Sequence, residues 1–184
     1  DNEVVCPDPM TASRMINEIL EASEEGDSLG GIIECIIKNV PVGLGEPLYH
    51  KLDAMLASHM MGINGAKAFE VGSGMQGTSM KGSEHNDEWY FDNQSNTHKT
   101  RSNFSGGIQG GISNGEDIVF RVGFKPVASI KKTQKTSNTK GHNVSLNIEG
   151  RHDPCVVPRA IPIVEAHAAI VLADFMLQFR NSKI

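Results

Sequence analysis

Apolar residues recur through Thr11–Glu24 at Ala12, Met15, Ile16, Ile19 and Leu20, the spacing of one helical face, and Gly26 is placed to stop that helix. Ahead of it, Asn2–Cys6 reads as a short strand. Ser28–Val40, rich in Gly, Ile and Val, also favours a strand. GLGEP (Gly43–Pro47) predicts a turn. A second helix is expected over Leu48–Ile63, with Leu52, Met55, Leu56, His59 and Met60 on one face, and a strand over Ala66–Val71. From Gly72 to Asn103 the pattern collapses into Gly, Ser, Asn, Asp and Lys, interrupted by Trp89, Tyr90 and Phe91. That predicts a long polar loop, expected to be functional or mobile. SNGED (Ser113–Asp117) predicts a hairpin turn before a strand at Ile118–Phe124. Lys131–Lys140 reads as a solvated loop and Asn143–Ile148 as a strand. The last helix, about Pro162–Phe179, is apolar nearly all round and is expected to be buried centrally. Helices interleaved with a run of strands predict an α+β fold, with helices packed on largely antiparallel sheet.

Composition narrows the classes. A chain of 184 residues suits one domain or one large half of a bigger one. At this size roughly 70% of the unfolded surface can be buried, so a real core is expected. The net charge of −5 argues against a nucleic-acid or anionic-membrane partner held by overall charge, though a local basic pocket stays open. Three widely spaced cysteines, Cys6, Cys35 and Cys155, without a CxxC, argue against a disulfide framework or a structural zinc, and fit a reducing compartment. The longest apolar candidate for a membrane span, Ala160–Leu177, is broken by Pro162, Glu165, His167 and Asp174. No secretory signal is recognised. The abrupt DNEVVCPDP opening, without Met, reads as a piece of a longer protein.

Three segments offer chemistry. Arg151–His152–Asp153, bounded by Gly150 and Pro154, sets an anion clamp, a proton shuttle and a base side by side. The plainer alternative is a polar loop entering a helix, with Asp153 bonded to backbone. SGGIQGG (Ser105–Gly111) lets backbone approach a ligand closely and cup an anion or a flat ring; the alternative is a flexible turn. In KPVAS (Lys125–Ser129), Pro126 biases Lys125 toward extended backbone, so its ammonium can sit on a phosphate with Ser129 adding a hydroxyl. The alternative is a sheet-edge turn. Asn64 and Gly65 resemble a helix C-cap. The seven histidines show no metal-ligand spacing. Cys155 reads as a small core residue.

Together the segments stop being generic. GEPLYHKLDAMLASHMMGINGAKAFEVG (Gly45–Gly72), SNFSGGIQGGISNGEDI (Ser102–Ile118), FKPVAS (Phe124–Ser129) and GRHDPCVVPRAIPIVEAHAAIVLAD (Gly150–Asp174) occur in this order. The arrangement resembles the C-terminal half of chorismate synthase, and CPDPMTAS (Cys6–Ser13) fits the mid-chain helix start of that family. The resemblance covers nearly the whole chain.

It implies a β-α-β sandwich assembled as a cytoplasmic homotetramer, of which this chain makes about half. It implies a lyase of the shikimate pathway, in aromatic amino-acid biosynthesis, that converts 5-enolpyruvylshikimate 3-phosphate to chorismate and phosphate. That reaction is an anti-1,4-elimination that needs reduced FMN without net redox change; the family is also associated with NADP. By the same resemblance, Asn64, Gly65, Gly110, Lys125, Pro126, Val127, Ala128, Ser129 and Arg151 contact FMN, and Asp153 is the catalytic Asp. The polar segment 72–103 is expected to help close the site. An N-terminal half with the family's histidines and most substrate-binding arginines is expected to be missing, so the chain alone is expected to be inactive. The alternatives are a non-catalytic flavin-binding or structural half-domain and, less supported, a metal-dependent hydrolase built on RHD.

Overall fold

A computed structural model describes residues 2–182. In chain order the elements are helix α1 (Pro9–Glu24), strand β1 (Gly31–Ile37), helix α2 (Leu52–Met61), strand β2 (Ala66–Val71), a 3-10 helix (Gly74–Ser79) and the short helix α3 (Gly82–His85). Seven strands follow: β3 (Trp89–Asp92), β4 (Thr97–Thr100), β5 (Ile108–Gln109), β6 (Ile112–Ser113), β7 (Ile118–Phe124), β8 (Gln134–Ser137) and β9 (Asn143–Leu146). Helix α4 (Val157–Ser182) closes the chain. The fold is α+β. The chain divides into two compact units, Asp1–Ile32 with Phe124–Ile161, and Ile33–Gly123 with Pro162–Ile184.

In the first unit, the Asp8 carboxylate caps α1 by accepting from the Thr11 N–H at 2.7 Å, and Pro9 follows at the start, where its missing N–H costs nothing. The helix ends two residues before Gly26, with Glu25 as its cap; Gly26 turns the chain at φ +70° and its carbonyl accepts from the Lys131 N–H at 3.0 Å. Lys132 pairs there with Glu25 (3.0 Å) and Asp27 (2.8 Å). Two expectations are corrected in this unit. Asn2–Cys6 is a turn rather than a strand, because the Asn2 side chain bonds both the N–H and the carbonyl of Cys6 and takes the place of a ladder. Lys131–Lys140 is not all loop: Gln134–Ser137 pairs antiparallel with Asn143–Leu146.

In the second unit the sheet order is β1-β7-β2. The pairing of β2 with β7 is antiparallel, since Gly72 at the end of β2 bonds Val119 at the start of β7 while Ala68 lies against Gly123. Strict alternation of burial along β7 puts Ile118, Phe120, Val122 and Phe124 inside. Leu52, Leu56 and Met60, spaced by four on α2, are fully buried, and α2 packs on β2. This helix starts four residues later than expected, because Glu46–His50 closes a turn in which Tyr49 takes φ +62°.

The polar stretch 72–103 is not irregular. It carries the 3-10 helix, α3 and the β3–β4 hairpin, in which Trp89 faces Thr100 and Asp92 faces Thr97. Helix α4 is also not buried all round. Val164, Ala168, Val171 and Phe175 are buried at four- and three-residue spacing, whereas Ile163, Ile170 and Leu177 on another face are exposed. Despite Pro162 and its charged residues, α4 is long and apolar enough, by length and composition, to cross a membrane.

Candidate functional site

In the first unit, one short segment ties two of the candidate motifs together. Residues 28–30 lie between KPVAS and the end of RHDP. The Ser28 hydroxyl donates to the Val127 carbonyl at 2.7 Å. The Leu29 N–H donates to the Pro154 carbonyl at 2.7 Å, and Leu29 pairs with Cys155 as a parallel bridge. A Cβ on Gly30 would collide with the Phe124 carbonyl and touch Pro126, so only glycine lets the chain pass this close. Lys125–Ser129 continues beyond β7 without regular structure. It is held further by Gln134, whose amide donates to the Ala128 carbonyl at 2.7 Å.

These bonds use backbone and leave the polar side chains outward. Lys125, Ser129 and Arg151 are all exposed. Among the described residues, neither the Lys125 ammonium nor the Arg151 guanidinium has an ion-pair partner, whereas Lys99, Arg101, Arg121, Lys132 and Arg159 each do. The two tethered segments thus offer two solvated cations and a hydroxyl, donor types suited to an anion such as a phosphate. Asp153 is not free: Arg159, in the first turn of α4, donates to it at 2.9 Å. The His152 ring approaches the Ile148 carbonyl at 3.1 Å. Residues 151–153 are neither strand nor helix.

The other candidates lie in the second unit. Ile63–Ala66 is a β-turn closed by the Ala66 N–H on the Ile63 carbonyl at 3.1 Å, with Gly65 at φ +88° in its third position. The helix cap itself is Gly62, not Asn64 or Gly65. Gly110 and Gly111 form the two-residue turn of the β5–β6 hairpin, both with positive φ (+61° and +87°), as a type I′ turn requires. Space around Gly110 is open, while Gly111 is packed on Lys51 and accepts from the Leu52 N–H at 2.8 Å. The Gly110 hairpin therefore abuts the start of α2 and Asn64–Gly65 follows its end, roughly 15 Å apart at helical rise. One ligand touches both only if it is extended.

Several structural residues were missed in the sequence. Ser113, 1% exposed, donates to the Pro41 carbonyl at 2.7 Å and accepts from the Leu44 N–H at 2.8 Å, pinning the GLGEP turn to the hairpin. Arg121 on β7 bonds Glu34 (3.1 Å), Glu70 (3.3 Å) and the Gly72 carbonyl (2.9 Å). Asp87 is buried at 3% exposure and accepts three hydrogen bonds. A single Asp or Ser in a polar run carries no sequence signal for this. Burial, with Glu165 adding to it, pushes the Cys35 thiol up to about 11, so it is held in its neutral form.

Comparison with known proteins points one way. The family model for chorismate synthase matches residues 1–177. The chain is 56% identical over 183 residues to the chorismate synthase of Christiangramia forsetii, covering 100% of this chain and 50% of that protein. It is 55% identical over 180 residues to that of Prochlorococcus marinus strain NATL1A, covering 98% and 50%. A solved chorismate synthase crystal structure superposes with a TM-score of 0.75 at 33% identity, covering 94% of this chain and 44% of that one. The chain thus spans about half the length of the curated relatives it matches, and it belongs to the chorismate synthase family.

Proposed function

We propose that the chain is the C-terminal, FMN-binding half of a chorismate synthase. In this reading it serves the anti-1,4-elimination of phosphate from 5-enolpyruvylshikimate 3-phosphate in the cytoplasm, within a homotetramer. The observation that carries the reading is that the two segments bearing the exposed Lys125 and Arg151 are both bonded to residues 28–30. A guanidinium and an ammonium held on tethered backbone can each donate charge-assisted hydrogen bonds to an anionic ligand.

Lys125, Ser129 and Arg151 would hold FMN by its phosphate and flavin edge. Gly110, open on its Cβ side, and Asn64–Gly65 are the further FMN contacts that the family resemblance implies. When bound, reduced FMN would lend an electron that is later returned, so the elimination would involve no net redox change. Arg151 offsets negative charge beside it. Asp153, its orientation held by Arg159, serves as the proton-managing group. Spanning about half the length of its curated relatives, the 184-residue chain is expected not to turn over substrate by itself.

Titration with FMN tests the reading. Lys125→Ala and Arg151→Ala each weaken FMN binding by about tenfold or more, the scale of a lost charge-assisted bond, and leave the melting temperature unchanged because neither side chain is packed. Unaltered FMN affinity in both variants would refute the assignment.

A further inference from the structure

We infer that Asp87 is a positioning residue for the Gly110 hairpin: a buried carboxylate that sets the entry to β5 by gathering the backbone N–H groups of the loop before it. Oδ1 accepts from the Ser102 hydroxyl at 2.7 Å and the Phe104 N–H at 2.8 Å, and Oδ2 accepts from the Ser105 N–H at 2.8 Å. Asp87 is 3% exposed, and among the described residues it has no cationic partner. Its charge is balanced by hydrogen-bond donors alone, all belonging to Ser102–Ser105.

The next residues are wound tightly from that anchor. The Asn103 side chain accepts from the Gly107 N–H at 2.7 Å and donates to the Asp117 carbonyl at 2.8 Å. Gly106 and Gly107 both take positive φ, and a Cβ on either would strike neighbouring backbone. The Phe104 ring lies against His85 at 5.6 Å, and His85 bonds the Ser73 hydroxyl at 2.8 Å, so the loop is held by ring as well as by backbone. The far strand of the hairpin is pinned separately, by Ser113. Asp87 governs the near strand, and Gly110 sits between the two. This inference rests on the reading of Gly110 as an FMN contact.

Asp87→Asn keeps the shape but turns an amide NH2 toward at least one backbone donor. Ser102→Ala removes one of the three bonds and leaves the carboxylate and both backbone bonds. Amide hydrogen exchange and FMN titration on the chain, alone and combined with the complementing half, read the two variants. In Asp87→Asn the amides of Phe104, Ser105 and Ile108–Ser113 exchange faster while those of Ala66–Val71 are unchanged, and FMN binds about tenfold more weakly. Ser102→Ala shifts both in the same direction by less, and decides the matter if Asp87→Asn does not fold. Unchanged exchange in the hairpin overturns the inference, and so does faster exchange with wild-type FMN affinity. Absence of FMN binding in the wild-type combination overturns the flavin reading itself. The exchange comparison then still decides whether Asp87 holds the hairpin.

Discussion

Ser113 and Asp87 illustrate how single polar residues hold this molecule where apolar packing does not reach. Replacing Ser113 by Ala leaves the Leu44 N–H, on a residue 1% exposed, without its acceptor. The expected cost is about 1–3 kcal/mol in urea unfolding, with the slope of the transition unchanged. A loss below a few tenths of a kcal/mol would show that water replaces the hydroxyl. Asp87 carries a pH signature. Burial works against its charge, but hydrogen bonds from Ser102, Ser105 and Phe104 outweigh it and hold the carboxyl below its ordinary value of 3.8. A carboxyl depressed in the folded state stabilises fully above the unfolded value and loses that contribution as pH falls through the folded one. Protection of the Phe104 and Ser105 amides should therefore persist down to about pH 4 and fade below it. Protection that fades nearer neutrality would point to another group.

At the scale of elements, what was legible followed burial. Ala66–Val71 and Ile118–Phe124 were readable to the residue, the latter because its alternation matches a strand with one buried face. Strand β9 was read as Asn143–Ile148, whereas its partner β8 and the β3–β4 hairpin were not. Their strands are largely exposed, so no face is selected for apolar residues and no alternation arises. Helix α4 was read as a helix, but its burial was overstated. An apolar composition all round does not distinguish a buried helix from one with an unpartnered apolar face. The two faces should respond differently: Phe175→Ala, at a buried position, costs about 3–5 kcal/mol, whereas Leu177→Ala, 60% exposed, stays within about 0.5 kcal/mol. Equal losses at the two positions would mean that the exposed face is covered in solution. The candidate site was legible only through motif order. Residue chemistry singled out RHD, SGGIQGG and KPVAS, but not the Ser28–Gly30 segment that joins two of them or the Arg159 that occupies Asp153.

The whole molecule spans about half the length of the curated relatives it matches. Its first unit presents the solvated Lys125 and Arg151 and an Asp153 carboxylate oriented by Arg159. The most direct measurement is chorismate formation from 5-enolpyruvylshikimate 3-phosphate with reduced FMN. It should be assayed for the chain alone and after mixing with the N-terminal half of a relative such as the Christiangramia forsetii protein. The account predicts no turnover by the chain alone, and turnover on mixing that is lost with Arg151→Ala. Turnover by the chain alone, or none on mixing under conditions where the two halves associate and FMN binds, would contradict it.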